Sequence, residues 1–363
     1  MTADTLGGVW TYAIELISGL AQNGIRVSLA TMGAPLSPEQ RRQAHMLDID
    51  IHESSYKLEW MEHPWAEVDA AGEWLLGLER TLQPDLVHLN NYAHGNLPWK
   101  APVLVVAHSC VYSWWNAVHR TSPPHEWNEY RRRVASGLHA ADAVVAVSRA
   151  MLRQLEQWYG LFGTRCVVYN GHHPGSYSPG AKEDFVLSTG RVWDAAKNIK
   201  ALDTAAGSIP WPVYVAGETQ HPEGGRPAMQ SVRLTGQVAS ADLGQYFGRA
   251  RIYALPAFYE PFGLSILEAA LSGCALVLGD IPSLREIWAD AALFVPPADH
   301  EALALTINCL IAKRRTCDDL ARRAQARAQT LTTSRMVHGY LGVYPQAWTG
   351  YKAAREARTS CVS

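Results

Sequence analysis

Two glutamates set eight positions apart, Glu260 and Glu268, frame the segment of this chain best suited to chemistry, Glu-Pro-Phe-Gly-Leu-Ser-Ile-Leu-Glu. Glu260 stands just before a turn, and Glu268 falls about one helical turn inside the helix that follows. Pro261 and Gly263 shape a backbone that can approach a ligand closely. The helix start leaves N–H groups free across Gly263, Leu264 and Ser265, which suits a phosphate. Two acids flanking an anion cradle suit a phosphorylated sugar, with phosphates at the helix end and hydroxyls on the acids. Glutamates at this spacing also occur by chance on many helical surfaces, so context decides. The apolar run Arg251 to Leu255 reads as a buried strand. The segment therefore lies at the carboxyl end of a strand, where open α/β sheets bind ligands.

Other residues fall at comparable places. Gly190-Arg191 follows a strand at 185–189, and Lys197 opens the next helix, so both cations reach the same edge as Glu260. Arg offers a fork for phosphate oxygens and Lys a point charge. A diphosphate leaving group needs its growing negative charge stabilised, and these are the candidates. His108 ends the run Val103 to Ala107, at a strand edge where it could donate to a sugar hydroxyl or share charge with a leaving phosphate. Gly7-Gly8 precedes the first helix, where a plain tight turn or close backbone packing on a ligand are both compatible with the pair.

These positions need a scaffold, and the chain alternates helix and strand from end to end. Val9, Ala13, Leu16, Ile17 and Leu20 share one helical face that Gly24 can terminate. Strands follow at Ile25 to Thr31, Asp85 to Leu89, Val103 to Ala107, Ala143 to Val147 and Cys166 to Tyr169, with helices at Arg131 to Ala141 and Met151 to Tyr159. Residues 170–180 hold three Gly and two Pro and read as a linker. A second unit begins at Phe185, with strands near 185–189, 212–216, 231–234, 251–255, 275–278 and 292–295. Its helices start near Lys197, Asp242, Leu264, Ser283 and Asp299. Such alternation predicts two α/β domains, each with a parallel sheet covered on both faces, and a cleft between them. The division expected is residues 1–172, a linker at 173–180, and residues 181–337, with the segment 338–363 (Tyr340, Leu341, Tyr344, Trp348) packing back on the first domain.

Composition narrows the function. The 363 residues are 48% hydrophobic with a net charge of −2, enough for two cores and too balanced for nucleic acid as the main partner. No apolar run approaches the ~20 residues needed to span a bilayer, and the polar start predicts no signal peptide. Six cysteines without paired spacing read as reduced thiols of a cytoplasmic protein, and local contact with the inner membrane face stays open. Thirteen tryptophans are unusual. Trp114, Trp115 and Trp127 crowd one region, and adjacent Trp114 and Trp115 cannot both face a core from a regular strand, so one is expected at the surface. There is no Asp-x-Asp at a strand end for a divalent metal, and no G-x-S-x-G, G-x-x-x-x-G-K-[ST] or G-x-G-x-x-G, which disfavours hydrolase, kinase and dehydrogenase functions.

Together these motifs resemble the family 4 glycosyltransferases, retaining enzymes of the two-domain GT-B fold with Rossmann-like doubly wound domains. The matching pieces are Gly7-Gly8-Val9-Trp10-Thr11-Tyr12, Val147-Ser148-Arg149-Ala150-Met151, Asn170-Gly171, Gly190-Arg191 with Lys197-Asn198, and the Glu260 to Glu268 segment. The resemblance implies a hexose moved from a nucleotide-diphosphate sugar to a saccharide or lipid-linked acceptor, with no metal and no cofactor. It implies that Glu268 holds ribose hydroxyls, Glu260 faces the donor sugar, and Arg191 and Lys197 bind the diphosphate. Gly8 and the amides of Gly263 to Ser265 would complete that cradle, His108 would contact the donor sugar, and Ser148 would bind acceptor or phosphate. A nucleotide-sugar epimerase of the same fold, or a nucleotide-sugar binder without turnover, are the alternatives. One departure stands out: family members begin with an apolar strand before the glycine loop, and Met1 to Leu6 leaves almost no room for it. The first strand is expected to be truncated to a stub or missing, and the Gly7-Gly8 loop loosely anchored.

Overall fold

The computed structural model describes residues 1–173, 175–220 and 228–360. The chain forms two compact units, one of Met1–Trp115, Thr121–Asn170 and Thr333–Ser363, the other of Asn116–Arg120 and Gly171–Thr332.

The first unit runs β1 (Thr2–Asp4), α1 (Gly8–Ala21), β2 (Ser28–Met32), α2 (Pro38–Met46), β3 (Asp50–Glu53), α3 (Trp65–Leu82), β4 (Val87–Leu89), β5 (Val103–Ala107), the start of α4 (Val111–His119, whose residues from Asn116 on are counted with the second unit), α5 (Asn128–Ala140), β6 (Ala143–Ala146), α6 (Arg149–Tyr159) and β7 (Thr164–Val167). All its ladders are parallel, in two sheets of order β1-β2-β3 and β4-β5-β6-β7. β5 and β6 are apolar along their whole length because both faces are buried. The first strand exists as three residues, with Thr2 and Ala3 buried and paired to Ala30 and Thr31 of β2. No ladder joins β1 to β4. Side chains span the gap instead: Asn90 N donates to Thr2 Oγ1 at 2.8 Å and Asn90 Nδ2 to Thr2 O at 2.6 Å. The glycine loop, expected to be loose, is tied down. Thr5 Oγ1 donates to Ala34 O and accepts from Ala34 N, and Leu6 N donates to Asp4 Oδ1.

The second unit runs β8 (Glu183–Thr189), α7 (Ile199–Ala206), β9 (Val213–Ala216), β10 (Arg233–Gly236), α8 (Ser240–Arg249), β11 (Ala250–Leu255), α9 (Leu264–Leu271), β12 (Ala275–Gly279), α10 (Pro282–Trp288), β13 (Leu293–Val295), α11 (His300–Ala312) and α12 (Arg314–Ala328). Its six strands form one parallel sheet of order β10-β9-β8-β11-β12-β13. The winding reverses between β8 and β11, and the carboxyl ends of those neighbours make the crevice expected of a doubly wound sheet.

Two boundaries differ from the expected ones. Gly171 to Gly180, read as part of a linker, goes with the second unit: His172 bridges Thr332, and Gly180 N donates to Gly248 O. Of this stretch, Pro174 lies outside the described residues. The return to the first unit comes with α13 (Thr333–Ser360), five residues before the expected start. Thr333 Oγ1 donates to Glu15 of α1 at 2.5 Å, and Val337 sits so close to Gly19 that an added Cβ would meet it at 2.4 Å. Tyr340, Val343 and Ala347 bury the next turns of that face. Trp114 and Trp115 ride on α4, a helix and not a strand, and both are half-buried with ring centroids 6.3 Å apart.

Candidate active site

In the second unit the residues singled out in the sequence gather at the β8–β11 crevice. β8 ends at Thr189, and Gly190 follows with φ 145°, a backbone open to glycine. A Cβ there would press on the Lys197 stem at 3.2 Å. A short 3-10 turn, Ala195–Lys197, brings Lys197 back over the strand end, and Asp194 caps it by accepting from Ala196 N. Asp194 also takes the Arg191 guanidinium at 3.0 Å, while Arg191 lies over the Trp193 ring at 4.9 Å. Asn198 then turns left-handed, at φ 55°, and its amide donates to Pro256 O and Pro297 O. That amide fastens the β8 loop to the loop after β11.

The β11 loop supplies the carboxylates. Glu260 Oε2 accepts from Lys197 Nζ at 2.5 Å, with the side chains 12% and 20% exposed. A pair that is mostly sheltered holds its geometry better than a solvated one. Ser283 Oγ fixes the loop by donating to Glu260 O at 2.6 Å. Gly263 is the N-cap of α9 at φ 88°, a left-handed position where a Cβ would also strike Ile266 at 2.6 Å. Leu264 and Ser265 form the first turn, with amides that precede the helix's own bonds. Ser265 Oγ is linked to Tyr253 OH at 2.9 Å and that hydroxyl to Thr189 Oγ1 at 2.8 Å, so the helix start is bonded to both central strands. Glu268 is buried, and its Oε1 meets His172 Nε2 at 3.2 Å. At the far end of α9, Lys182 Nζ donates to Ser272 O and Ala250 O, both at 2.7 Å, and so holds the helix against β11.

The floor of this crevice is main chain. A Cβ on Gly217 would lie 2.0 Å from Gly190 O, and one on Gly279 2.4 Å from Ala257 O. Backbones at the ends of β8 and β9, and of β11 and β12, therefore touch directly.

In the first unit, Gly7 is the N-cap of α1 at φ 115° and Gly8 is its first residue. Open space surrounds the missing Cβ, so the backbone angle alone demands glycine. His108 stands just past β5, half-buried, with Nε2 2.8 Å from Asn90 Oδ1 and the Tyr12 ring edge-on at 4.4 Å. Burial holds its pKa down to about 3. That burial favours the neutral ring. Ser148 is fully buried as the N-cap of α6 and accepts from Met151 N at 3.1 Å, a structural task that accounts for its place before the helix.

Asp194, His172, Ser283, Tyr253 and Asn90 were not reached from the sequence, and Asn198 was reached only as part of the Lys197-Asn198 motif. Only Asn198 carried a local signal, since Asn tolerates a left-handed turn just before a helix. The other contacts join residues far apart in the chain. Among the described residues no group of three or more His, Cys, Asp or Glu could hold a metal ion. No helix among them is long and apolar enough to cross a membrane.

The chain that carries this arrangement is similar to known proteins in sequence and in fold. Residues 6–174 match the family Glycosyltransferase Family 4, and residues 180–327 match Glycosyl transferases group 1. The chain belongs to the family 4 glycosyltransferases, and its two α/β units are those of the GT-B fold. It is similar in fold to sucrose-phosphate synthase from Thermosynechococcus elongatus (21% identity, 94% of each chain covered, TM-score 0.80). It also resembles Anabaena HepE solved in complex with UDP-glucose (18% identity, 93% of this chain and 96% of that one, TM-score 0.73). Among curated relatives, the O-antigen chain mannosyltransferase B of Escherichia coli is 40% identical over 76 residues, 21% of this chain and 20% of the relative. The chain thus spans about a fifth of that relative's length, and about a quarter of the glycogen synthase and mannosylfructose-phosphate synthase that also match.

Proposed function

We propose that this protein is a retaining hexosyltransferase that uses a nucleotide-diphosphate sugar and passes the hexose to a saccharide or lipid-linked acceptor. The observation that carries this reading is the Lys197–Glu260 pair beside the α9 start, with buried Glu268 on the same helix. The nucleotide-sugar complex of HepE and the mannosyltransferase relative support the substrate class.

The chemistry follows from charge. Cleavage of the bond between the anomeric carbon and the phosphate oxygen leaves negative charge on the diphosphate. Lys197 and Arg191, with the first amides of α9, stabilise that charge where it grows, and most strongly in the transition state. Their charge does the work for which other sugar transferases recruit a metal ion, so we propose a metal-independent reaction. Glu260 orients Lys197 and faces the sugar, and Glu268 accepts from the ribose hydroxyls. Retention requires the acceptor oxygen to bond on the face the phosphate leaves. The acceptor proton then passes to the departing phosphate oxygen, and no enzyme base is consumed.

A panel of nucleoside diphosphates and their sugars tests this by thermal shift and by turnover, both without added metal. One base series should raise the melting temperature, by linkage about 2.7 kcal/mol at 100 times the dissociation constant, and Glu268→Ala should abolish the shift. Binding without turnover across all acceptors offered would instead favour a nucleotide-sugar binder. No shift from any nucleotide would end the donor-site reading.

A further inference from the structure

Glu268 sits in an asymmetric setting, and every residue that makes it so lies in the second unit. Its Oε1 meets His172 Nε2 at 3.2 Å, and among the described residues its Oε2 makes no hydrogen bond. The Glu268 side chain keeps 11% of its surface open, against 2% for His172. An ionised carboxyl under that much cover needs hydrogen bonds. A carboxylate only accepts, so His172 Nε2 carries the hydrogen and donates. The ring that donates is itself held. His172 N donates to Leu331 O at 3.1 Å, and His172 pairs with Thr332 in a parallel bridge, which sets its backbone. Tyr177 packs against the imidazole at 5.1 Å with the rings tilted 66°, and Tyr177 in turn meets buried Phe247 of α8 at 6.0 Å. A glutamate side chain has several rotamers, and a donor fixed on one oxygen selects among them. The other oxygen is then presented in one direction.

We propose that His172 is a positioning residue that ties Glu268 Oε1 and leaves Oε2 to accept from a ribose hydroxyl, so that the site prefers ribonucleotides to their deoxy counterparts. The proposal rests on the donor-site reading above. A nucleotide without that hydroxyl covers Oε2 and gives it no hydrogen, and a group built to bond a hydroxyl rejects the analogue that lacks one. At 2% exposure the His172 ring acts through Glu268 and not on the ligand. Without its N–H the carboxylate turns to find another donor, and the hydroxyl loses a partner held in place.

Calorimetric titration of the full chain with UDP, GDP and their 2′-deoxy and 3′-deoxy forms reads the preference. Wild type should bind one ribonucleotide at least about tenfold more tightly than one of its deoxy forms, the worth of one hydrogen bond to a charged group. His172→Phe keeps a ring against Tyr177 and drops the N–H, and the preference should shrink to about twofold. His172→Gln, whose amide can place an N–H near the Nε2 position, should restore most of it. Adding His172→Phe to Glu268→Ala should change nothing further. On the preferred nucleotide sugar, His172→Phe should raise KM about tenfold and alter kcat less than about twofold. An unchanged preference in His172→Phe, or an equal loss for ribo and deoxy forms, marks a merely structural role and overturns the proposal. If His172→Phe does not fold, histidine-ring nitrogen spectra of the wild type decide: the signal missing in His172→Gln should show a protonated Nε2, and a bare Nε2 overturns the assignment. Equal binding of ribo and deoxy forms by the wild type ends the ribose selection and leaves the donor site standing. No binding of any nucleoside diphosphate ends the donor-site reading as well.

Discussion

The two units solve one problem in different ways. Both must fix polar side chains at the carboxyl edge of a parallel sheet. In the second unit the sheet is continuous across the switch point, β8 beside β11, and the site is fixed by backbone crossings and short loop contacts such as Asn198 to Pro256 and Pro297. In the first unit β1 is three residues long, the ladder stops before β4, and Thr2, Asn90, Asn91 and His94 carry the connection through side chains. A backbone ladder fixes position. A side-chain chain fixes position and also where each proton lies. The second unit is organised for charge, with Arg191, Lys197, Glu260 and Glu268, whereas the described contacts of His108 in the first unit are those of a neutral ring.

The comparison can be broken most severely at Lys197. Lys197→Ala should lower kcat about 10²–10³-fold, the usual loss when one group stabilising the developing charge is removed. Steady-state rates on the preferred donor will show it, and a drop below about tenfold would move the charge role elsewhere. Next in size are the glycines. Gly217→Ala drives a Cβ into Gly190 O and should cost upwards of about 3 kcal/mol. Gly7→Ala meets open space and should cost only the left-handed strain, about 1–3 kcal/mol. Denaturant titration of the two variants measures the gap, and equal costs would deny that the second unit is the more tightly crossed.

A third effect belongs to the first unit alone. Burial pushes the Glu59 carboxyl up to about 7, although Tyr92 N and Ala93 N donate to it and favour the anion. The folded state therefore binds this proton more tightly than the unfolded chain. The stability it contributes is present below pH 4.5 and is lost as pH rises towards 7, at up to about 1.4 kcal/mol per pH unit. Glu59→Gln should flatten that slope in unfolding measured from pH 4 to 8. The smallest effect is at Ser148. Removing its hydroxyl in Ser148→Ala should cost about 1 kcal/mol as a lost cap and leave kcat unchanged. A large rate loss at unchanged stability would return Ser148 to the binding site.

Much of the second unit was legible because its central strands β11 and β12 are largely apolar and buried and its loops carry Gly, Pro and charge at strand ends. Ala275–Gly279 and Leu264 fell where the pattern put them. The first unit was harder. α2 was missed although Ser37 and Gln40 form a capping box and Pro38 opens the helix, because the helix is polar and buries little beyond Ala44. β3, Asp50–Glu53, is an edge strand whose residues are exposed or half-buried and gives no apolar run. Local pattern placed Glu260, Lys197 and His108 at strand and helix ends and Glu268 a turn inside the helix that follows Glu260. It could not show that His172 would reach Glu268, or Asn90 His108, since those pairs are made by topology and not by spacing.

The main-chain floor of the second unit has an evolutionary corollary. Where Gly217 crosses Gly190 and Gly279 crosses the Ala257 carbonyl, a Cβ on Gly217 or Gly279 would strike main chain, so those two glycines leave little room for point mutation to remodel the base of the crevice. Divergence towards another donor has to come from the rim: the loop after Thr189, the turn before Gly263, and the residues they carry. A lineage of such enzymes could change its sugar repeatedly while inheriting the same foundation, and a laboratory library aimed at new donors should randomise that rim and leave the four crossing positions untouched.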